Sequence, residues 1–179
     1  NIWEFAIRSG TLYYALNGAT NWVWQNTYES ITAGIWTHVA VTRAASSAAL
    51  KVYLNGHIDT TTANADGLGT GTFSADTGRE FTVGARYNAG TRGSFFSGGI
   101  DEVRVWRANR SDAQILQDAY TWNATDTTGL ITYIDFNDIS GTTVYNRASG
   151  GTNLSTAGSP TISNVAVTDL TKGDGKTYI

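Results

Sequence analysis

The sequence contains no cysteine, no methionine and only one proline in 179 residues. Without cysteine, the protein has no disulfide framework, no thiol nucleophile and no thiolate metal site. Lysine and arginine form no cluster and the formal net charge is -3, which argues against nucleic acid and an anionic membrane surface as partners. Every apolar run is far shorter than a membrane span, so we expect no membrane insertion.

What the chain does contain is Gly, Thr, Asn, Ser and Ala in abundance. An acidic composition of this kind, free of cysteine and methionine, is typical of exported bacterial proteins. We therefore expect an extracellular or cell-surface location. The first residues lack the pattern of a signal peptide, and we expect a monomeric module within a longer chain.

Short alternating segments separated by Gly-rich turns account for most of the sequence. Residues 3–8 and 11–16 flank Ser9-Gly10, and Asn55-Gly56 follows an apolar segment at 50–54; both patterns predict hairpins. Many short strands with turns of this kind predict an all-β, two-sheet antiparallel sandwich. Further strands are predicted at 36–42, 80–84, 100–106 and 130–136.

One segment has the pattern of a helix. Ser111 and Gln114 have the spacing of a capping box, in which each side chain bonds to the backbone of the other residue. Ile115, Leu116 and Ala119 give the segment one apolar stripe. We expect one short helix that covers an edge of the sandwich.

The segment FFSGGIDEVRVWR (residues 95–107) is predicted to turn at Gly98-Gly99 and then to run as a strand. Strand alternation would place Asp101 on the apolar face, where an unpaired carboxylate is costly to desolvate. Asp101 either caps backbone N–H groups of the glycine turn or holds a cation, and both explanations stay open. Glu102 and Arg104 are expected to pair on the other face.

Four other aspartates lie in or beside Gly-rich or Thr-rich loops, where Ca²⁺ ligands are often found. Their spacing matches neither an EF-hand nor a calcium-binding repeat, which favours solvated turn residues. These aspartates are Asp59, Asp66, Asp76 and Asp174.

Three motifs, in this order, resemble one known family. They are GIWTHVAVT (34–42), VYLNG (52–56) and FSGGIDEVRVW (96–106), and they are similar to segments of laminin-G-like, concanavalin A-like jelly-roll domains. The resemblance spans roughly residues 1–120 and implies two curved antiparallel sheets packed face to face.

The order of the segments departs from that family. Its members usually begin with a strand similar to residues 130–137, which here follows the helix. Either this part completes the sandwich in permuted order or it begins a second copy. The strand is apolar at both parities and an uncovered apolar edge invites aggregation. We therefore predict a single domain, 1–179, in which residues 129–179 supply the C-terminal strands.

The same resemblance implies a structural Ca²⁺. Similar sandwiches often hold this ion through an aspartate that begins the strand matching residues 100–106. Asp101 would then donate its carboxylate and its backbone carbonyl, and either Gly173-Asp174-Gly175 or the region near Asp135 would supply further oxygen ligands. Ca²⁺ requires roughly six to eight such ligands.

Catalysis is not expected. Laminarinase-type glycosidases share the implied fold and carry two glutamates that flank an aspartate on one strand face. The spacing E-x-D-x-x-E does not occur here. Asp101 and Glu102 are adjacent and would face opposite sides of a strand, whereas the two acids of a glycosidase must converge on one bond. The histidines His38 and His57 and the serines lack a partner of the kind that a nucleophilic site requires.

We predict a non-catalytic extracellular recognition module that binds a glycan or protein ligand on a cell surface, as part of a bacterial adhesin or surface protein. The loop at residues 86–92 mixes planar donors with an aromatic ring, a composition favoured at recognition hot spots. Its predicted ligand contacts are Arg86, Tyr87, Asn88 and Arg92. The alternatives are a structural spacer or accessory module attached to a secreted carbohydrate-active enzyme, and a degenerate hydrolase.

Overall fold

The computed structural model describes residues 3–17, 22–43, 50–59, 62–64, 80–88, 90–121, 126–137, 139–157, 170–172 and 176–178. Within these residues the protein is mostly β, all strand pairs are antiparallel, and one short helix is present. The predicted all-β class with one short helix is confirmed. The chain divides into two compact units, Asn1–Gly98 (unit 1) and Gly99–Ile179 (unit 2).

The described part of unit 1 forms three sheets. One has four strands in the order β1-β2-β3-β7, one has three in the order β4-β5-β6, and β8 pairs with β9. The strands are β1 (Trp3–Arg8), β2 (Thr11–Asn17), β3 (Trp22–Ser30), β4 (Val39–Arg43), β5 (Leu50–Leu54), β6 (His57–Ile58), β7 (Thr62–Asn64), β8 (Arg86–Asn88) and β9 (Thr91–Gly93).

Both predicted hairpin turns are confirmed. Ser9 and Gly10 join β1 to β2 with φ angles of 51° and 79°, and Asn55 and Gly56 join β5 to β6 with 48° and 79°. Two successive positive φ angles are the mark of a type I′ turn, which matches the twist of the strands on either side.

The core of unit 1 lies between its two larger sheets. Leu12 on β2 packs in one buried cluster with Val52 and Leu54 on β5, and Val52 and Leu12 are only 1% and 2% exposed. Two sheets that share one apolar core in this way form a sandwich. Partly buried apolar side chains surround the cluster: Phe5, Ile31, Val39 and Val41.

Two strands differ from the sequence-based expectation. The strand expected at 36–42 begins only at Val39, because the N–H of His38 bonds to the side chain of Asn55 instead of a strand partner (3.0 Å). Residues 80–84 form no strand, so that prediction was wrong. There the hydroxyl of Thr82 donates to the carbonyl of Ala85 (2.7 Å), a local bond that competes with strand pairing.

Unit 2 contains the helix and the remaining described strands. The strand β10 pairs with β11, the strands β12-β13-β14 form a small sheet in that order, and β15 pairs with β16. The elements are β10 (Val103–Trp106), α1 (Asp112–Asp118), β11 (Leu130–Ile134), β12 (Ile139–Ser140), β13 (Thr143–Val144), β14 (Leu154–Ser155), β15 (Leu170–Lys172) and β16 (Lys176–Tyr178).

The helix α1 begins with the predicted capping box. The Ser111 hydroxyl accepts the N–H of Gln114 (3.3 Å), and the Gln114 side chain accepts the N–H of Ser111 (2.9 Å). Ile115 and Ala119 are buried, 6% and 3% exposed. None of the described helical segments is long and apolar enough to cross a membrane.

The strand predicted at 130–136 is observed as Leu130–Ile134, and it pairs with β10 in a register that sets Val103 opposite Ile134. The single-domain organisation of residues 1–179, with 129–179 completing one sandwich, stays a prediction.

Candidate ligand-binding site

The predicted contact loop at 86–92 is a β-hairpin. In it Arg86 lies opposite Gly93, and Tyr87 lies opposite Arg92. The two arms remain bonded beyond the strands, because the N–H of Phe96 donates to the carbonyl of Gly84 (2.8 Å). We call this element, residues 84–96, the 84–96 hairpin. It replaces the irregular loop that the sequence predicts.

The structure brings two of the four predicted contact residues together. Tyr87 and Arg92 are direct cross-strand partners, so their side chains share one face of the hairpin. Tyr87 is half-buried, whereas the Arg92 side chain is 42% exposed and pairs with the exposed Glu80. An aromatic ring and a guanidinium group therefore lie side by side at an accessible surface.

Arg86 lies on the other face of the hairpin, and its ligand contact stays a prediction. It alternates with Tyr87 along β8 and therefore faces the opposite side. Its Nε lies 3.2 Å from a carboxylate oxygen of Glu4, and the other oxygen of Glu4 accepts from Arg8 at 2.8 Å. Arg86 thus ties the hairpin to β1. Asn88 pairs with Thr91 through the backbone, and its side chain lies outside the described part.

Sequence reasoning missed two further exposed aromatic residues of the 84–96 hairpin. Phe95 and Phe96 are 67% and 42% exposed. The signal was present, because two successive side chains of an extended segment point to opposite sides and cannot both enter one core. Phe96 also covers Gly98 so closely that a Cβ there would lie 2.7 Å from the ring. A side chain at that position would therefore have to displace the ring.

Asp101 does not occupy the face that strand alternation predicts. Glu102 has a φ of 54° and β10 begins only at Val103, so the alternation does not reach Asp101. Its carboxylate accepts the N–H of Glu102 (2.8 Å), not an N–H of the glycine turn. Burial, and to a lesser degree the negative charge of Asp135, raises the pKa of Asp101 above its ordinary value.

The predicted pairing of Glu102 with Arg104 is confirmed. The hydroxyl of Tyr133 on β11 also donates to both oxygens of Glu102, at 3.2 and 3.1 Å. Burial raises the pKa of Glu102, although Arg104 acts against that rise. Arg104 further donates to the carbonyls of Asp118 and Thr121 (3.2 and 3.0 Å). This network joins β10, α1 and β11 and has a structural role.

Of the four loop aspartates considered above, the structure describes only Asp59. Within the described ranges, no group of three or more His, Asp or Glu side chains is arranged to hold a metal ion. Asp59 is buried and accepts the N–H groups of Tyr28 and Glu29 (3.1 and 3.0 Å), so its prediction as a solvated turn residue was wrong. Asp66, Asp76 and Asp174 lie outside the described residues.

Comparison with known proteins gives two matches. A laminin G family model described as the concanavalin A-like lectin/glucanases superfamily matches residues 1–116. A similar solved structure is the crystal structure of residues 221-444 of an S-layer domain-containing protein from Clostridium thermocellum ATCC 27405. That match has 22% identity, covers 62% of this chain and 52% of that chain, and has a TM-score of 0.39. The present chain thus spans about half of that structure's length. No curated protein is significantly similar.

Proposed function

Because the chain belongs to the concanavalin A-like lectin/glucanase superfamily through residues 1–116, we propose that it is a non-catalytic extracellular recognition module. It binds a glycan or protein ligand on a cell surface, as part of a bacterial adhesin or surface protein. Family membership alone is a weak warrant for function, since one fold serves many activities. The proposal therefore depends on a particular surface.

The observation that carries the proposal is the Tyr87–Arg92 pair on one face of the 84–96 hairpin. Tyrosine and arginine are enriched among residues that dominate binding energy, because each offers a large apolar surface together with a polar group. The exposed Phe95 and Phe96 lie on the same hairpin and add apolar area. Arg86 is paired with Glu4, so in this proposal it holds the hairpin in place and does not bind the ligand.

A glycan array and a binding screen against extracellular proteins test this function with the whole chain. Tyr87→Ala and Arg92→Ala should each weaken binding to the ligand so found by about tenfold or more. Tyr28→Ala is the matched control, because Tyr28 is 76% exposed on β3 and belongs to no proposed site. Unchanged affinity in both hairpin variants contradicts the hairpin assignment. Absence of any ligand favours the alternative, a structural spacer or an accessory module of a secreted carbohydrate-active enzyme.

A structural Ca²⁺ at Asp101 is a second part of the proposal. It is supported by the family resemblance and by the chemistry of a half-buried carboxylate, which can accept more bonds than the one that the N–H of Glu102 donates. The described residues supply only part of the six to eight oxygens that the ion needs. Further ligands would have to come from carbonyl groups and from the region of Asp174.

A further inference from the structure

Unit 2 contains a shallow cleft of its own. Its volume is about 320 Å³, near the lower end of the range for small-molecule sites. Its lining combines an aromatic ring, an aliphatic side chain, a hydroxyl, an amide and a guanidinium group. The lining residues are Asn137, Ile139, Ser140, Tyr145 and Arg147.

The two largest lining groups are held by a rigid support. Tyr145 and Arg147 flank Asn146, whose carboxamide makes four hydrogen bonds of 2.9–3.3 Å to backbone groups. It accepts from the N–H groups of Tyr133 and Ala148 and donates to the carbonyls of Ile131 and Thr152. Because backbone groups of four other residues hold Asn146, the positions on both sides of it are preorganised.

Close packing behind Asn146 strengthens this support. A Cβ on Gly151 would lie 2.2 Å from the Asn146 amide nitrogen, so only glycine fits there. The N–H of Arg147 also donates to the carbonyl of Tyr133 (2.8 Å). The segment that carries the lining residues is therefore fixed to β11 by backbone and side-chain bonds.

Asp135 sets the electrostatic character of the cleft. Its carboxylate accepts from the Nε of Arg147 (3.2 Å) and from the N–H of Asn137 (3.3 Å). The first bond orients the guanidinium plane and offsets its positive charge. Because Asp135 offsets the charge of Arg147, an anionic ligand gains little from that guanidinium group.

We propose that this cleft binds one or two sugar units of a neutral saccharide. The ring of Tyr145, 39% exposed, provides an apolar face for a pyranose ring. Ser140, Asn137 and Arg147 provide hydroxyl, amide and guanidinium groups for its hydroxyls. Few other ligand classes combine an apolar face with so many uncharged hydrogen-bonding groups. The cleft shares no residue with the 84–96 hairpin. An experiment can therefore contradict ligand binding at one of these two sites without contradicting it at the other.

The test is a titration of the whole chain with cellobiose, maltose, lactose and mannobiose, monitored by ¹H–¹⁵N NMR. At least one of these disaccharides should shift the amide signals of residues 139–147, with millimolar affinity. Tyr145→Ala should weaken that affinity by about 3–10-fold, as expected for loss of one aromatic contact. Tyr145→Phe should retain most of the affinity, because the ring is preserved.

Two further variants keep the test decisive. Arg147→Lys keeps the charge but removes the planar donor pair, and it should weaken binding while its melting temperature is checked in parallel. Tyr28→Ala, an exposed tyrosine of unit 1, should leave the affinity unchanged. The proposal is overturned if none of the four disaccharides shifts these signals, if Tyr145→Ala binds as the wild type does, or if galacturonic acid dimers bind more tightly than the neutral sugars.

Discussion

Arg110 and Asp118 form an ion pair of 2.8 Å in which the two side chains are only 4% and 5% exposed. The guanidinium of Arg110 also lies 4.0 Å over the ring of Trp106 and reaches Asp126 at 3.0 Å. The pair therefore joins β10, the C-terminal end of α1 and the segment before β11. In a buried pair of this kind each charge compensates the other. Removing either one leaves the other buried without a counter-charge, which is strongly destabilising.

Removing one partner should therefore be costly. Asp118→Ala leaves the buried Arg110 without its closest counter-charge, and we expect a loss of about 3–5 kcal/mol in the free energy of unfolding. The double variant Arg110→Met/Asp118→Leu should lose clearly less than the sum of the single variants, since neither charge remains. Urea unfolding measures the free energy of unfolding of the single and the double variants. Additive losses of less than about 1 kcal/mol each would show that the pair is effectively solvated.

The single-domain prediction can be tested through two buried residues, one in each unit. Leu12 is 2% and Ile134 is 0% exposed, so Leu12→Ala and Ile134→Ala should each cost about 2–5 kcal/mol. If residues 129–179 complete one cooperative sandwich, calorimetry of either variant shows one transition, shifted to lower temperature. Two transitions, each lowered by only one of the variants, would mean that the units unfold separately.

Asp126 provides a prediction on pH. The backbone N–H of Thr128 bonds to its carboxylate (2.9 Å) and, together with Arg110, lowers its pKa. A lowered pKa contributes stability above the ordinary pKa of an aspartate, and that contribution is lost as the pH falls through the lower, folded-state value. Asp126→Asn should therefore be less stable than the wild type at neutral pH, and the two should converge in acid. A stability difference that stays constant from about pH 7 to about pH 2 contradicts this assignment.

Calcium binding at Asp101 is decided by melting in EDTA and in added Ca²⁺. A bound ion stabilises the folded state by mass action, by about 2.7 kcal/mol at a concentration one hundred times its dissociation constant. The wild type should melt at a higher temperature with Ca²⁺, and Asp101→Asn should lose most of that increase. Equal melting temperatures of the wild type in both buffers would exclude the site.

Local chemistry accounts for the features that the sequence predicted well. The turns at Ser9-Gly10 and Asn55-Gly56 and the cap at Ser111 each depend on residues within a few positions of one another. Their residue types select the backbone geometry directly. The Glu102–Arg104 pair, two residues apart, was predictable for the same reason.

The features that escaped prediction depend on partners distant in sequence. Asp59 bonds to backbone groups 31 and 30 residues away, and Asn146 bonds to residue 133 on β11. Nothing in the local pattern indicates such partners. The start of β10 was misplaced because Glu102 adopts a positive φ, which its residue type does not favour.

The pairing of β10 with β11 also affects the order in which the strands pair during folding and synthesis. The β1–β2 pair closes over Ser9 and Gly10, whereas the β10–β11 pair must close over residues 107–129, which include α1. Longer loops cost more entropy to close, so hydrogen-exchange pulse labelling should show protection in β1 and β2 before β10. During synthesis, β10 is translated before β11. Val103 and Val105 therefore gain their strand partner only after residues 130–134 have been added to the chain.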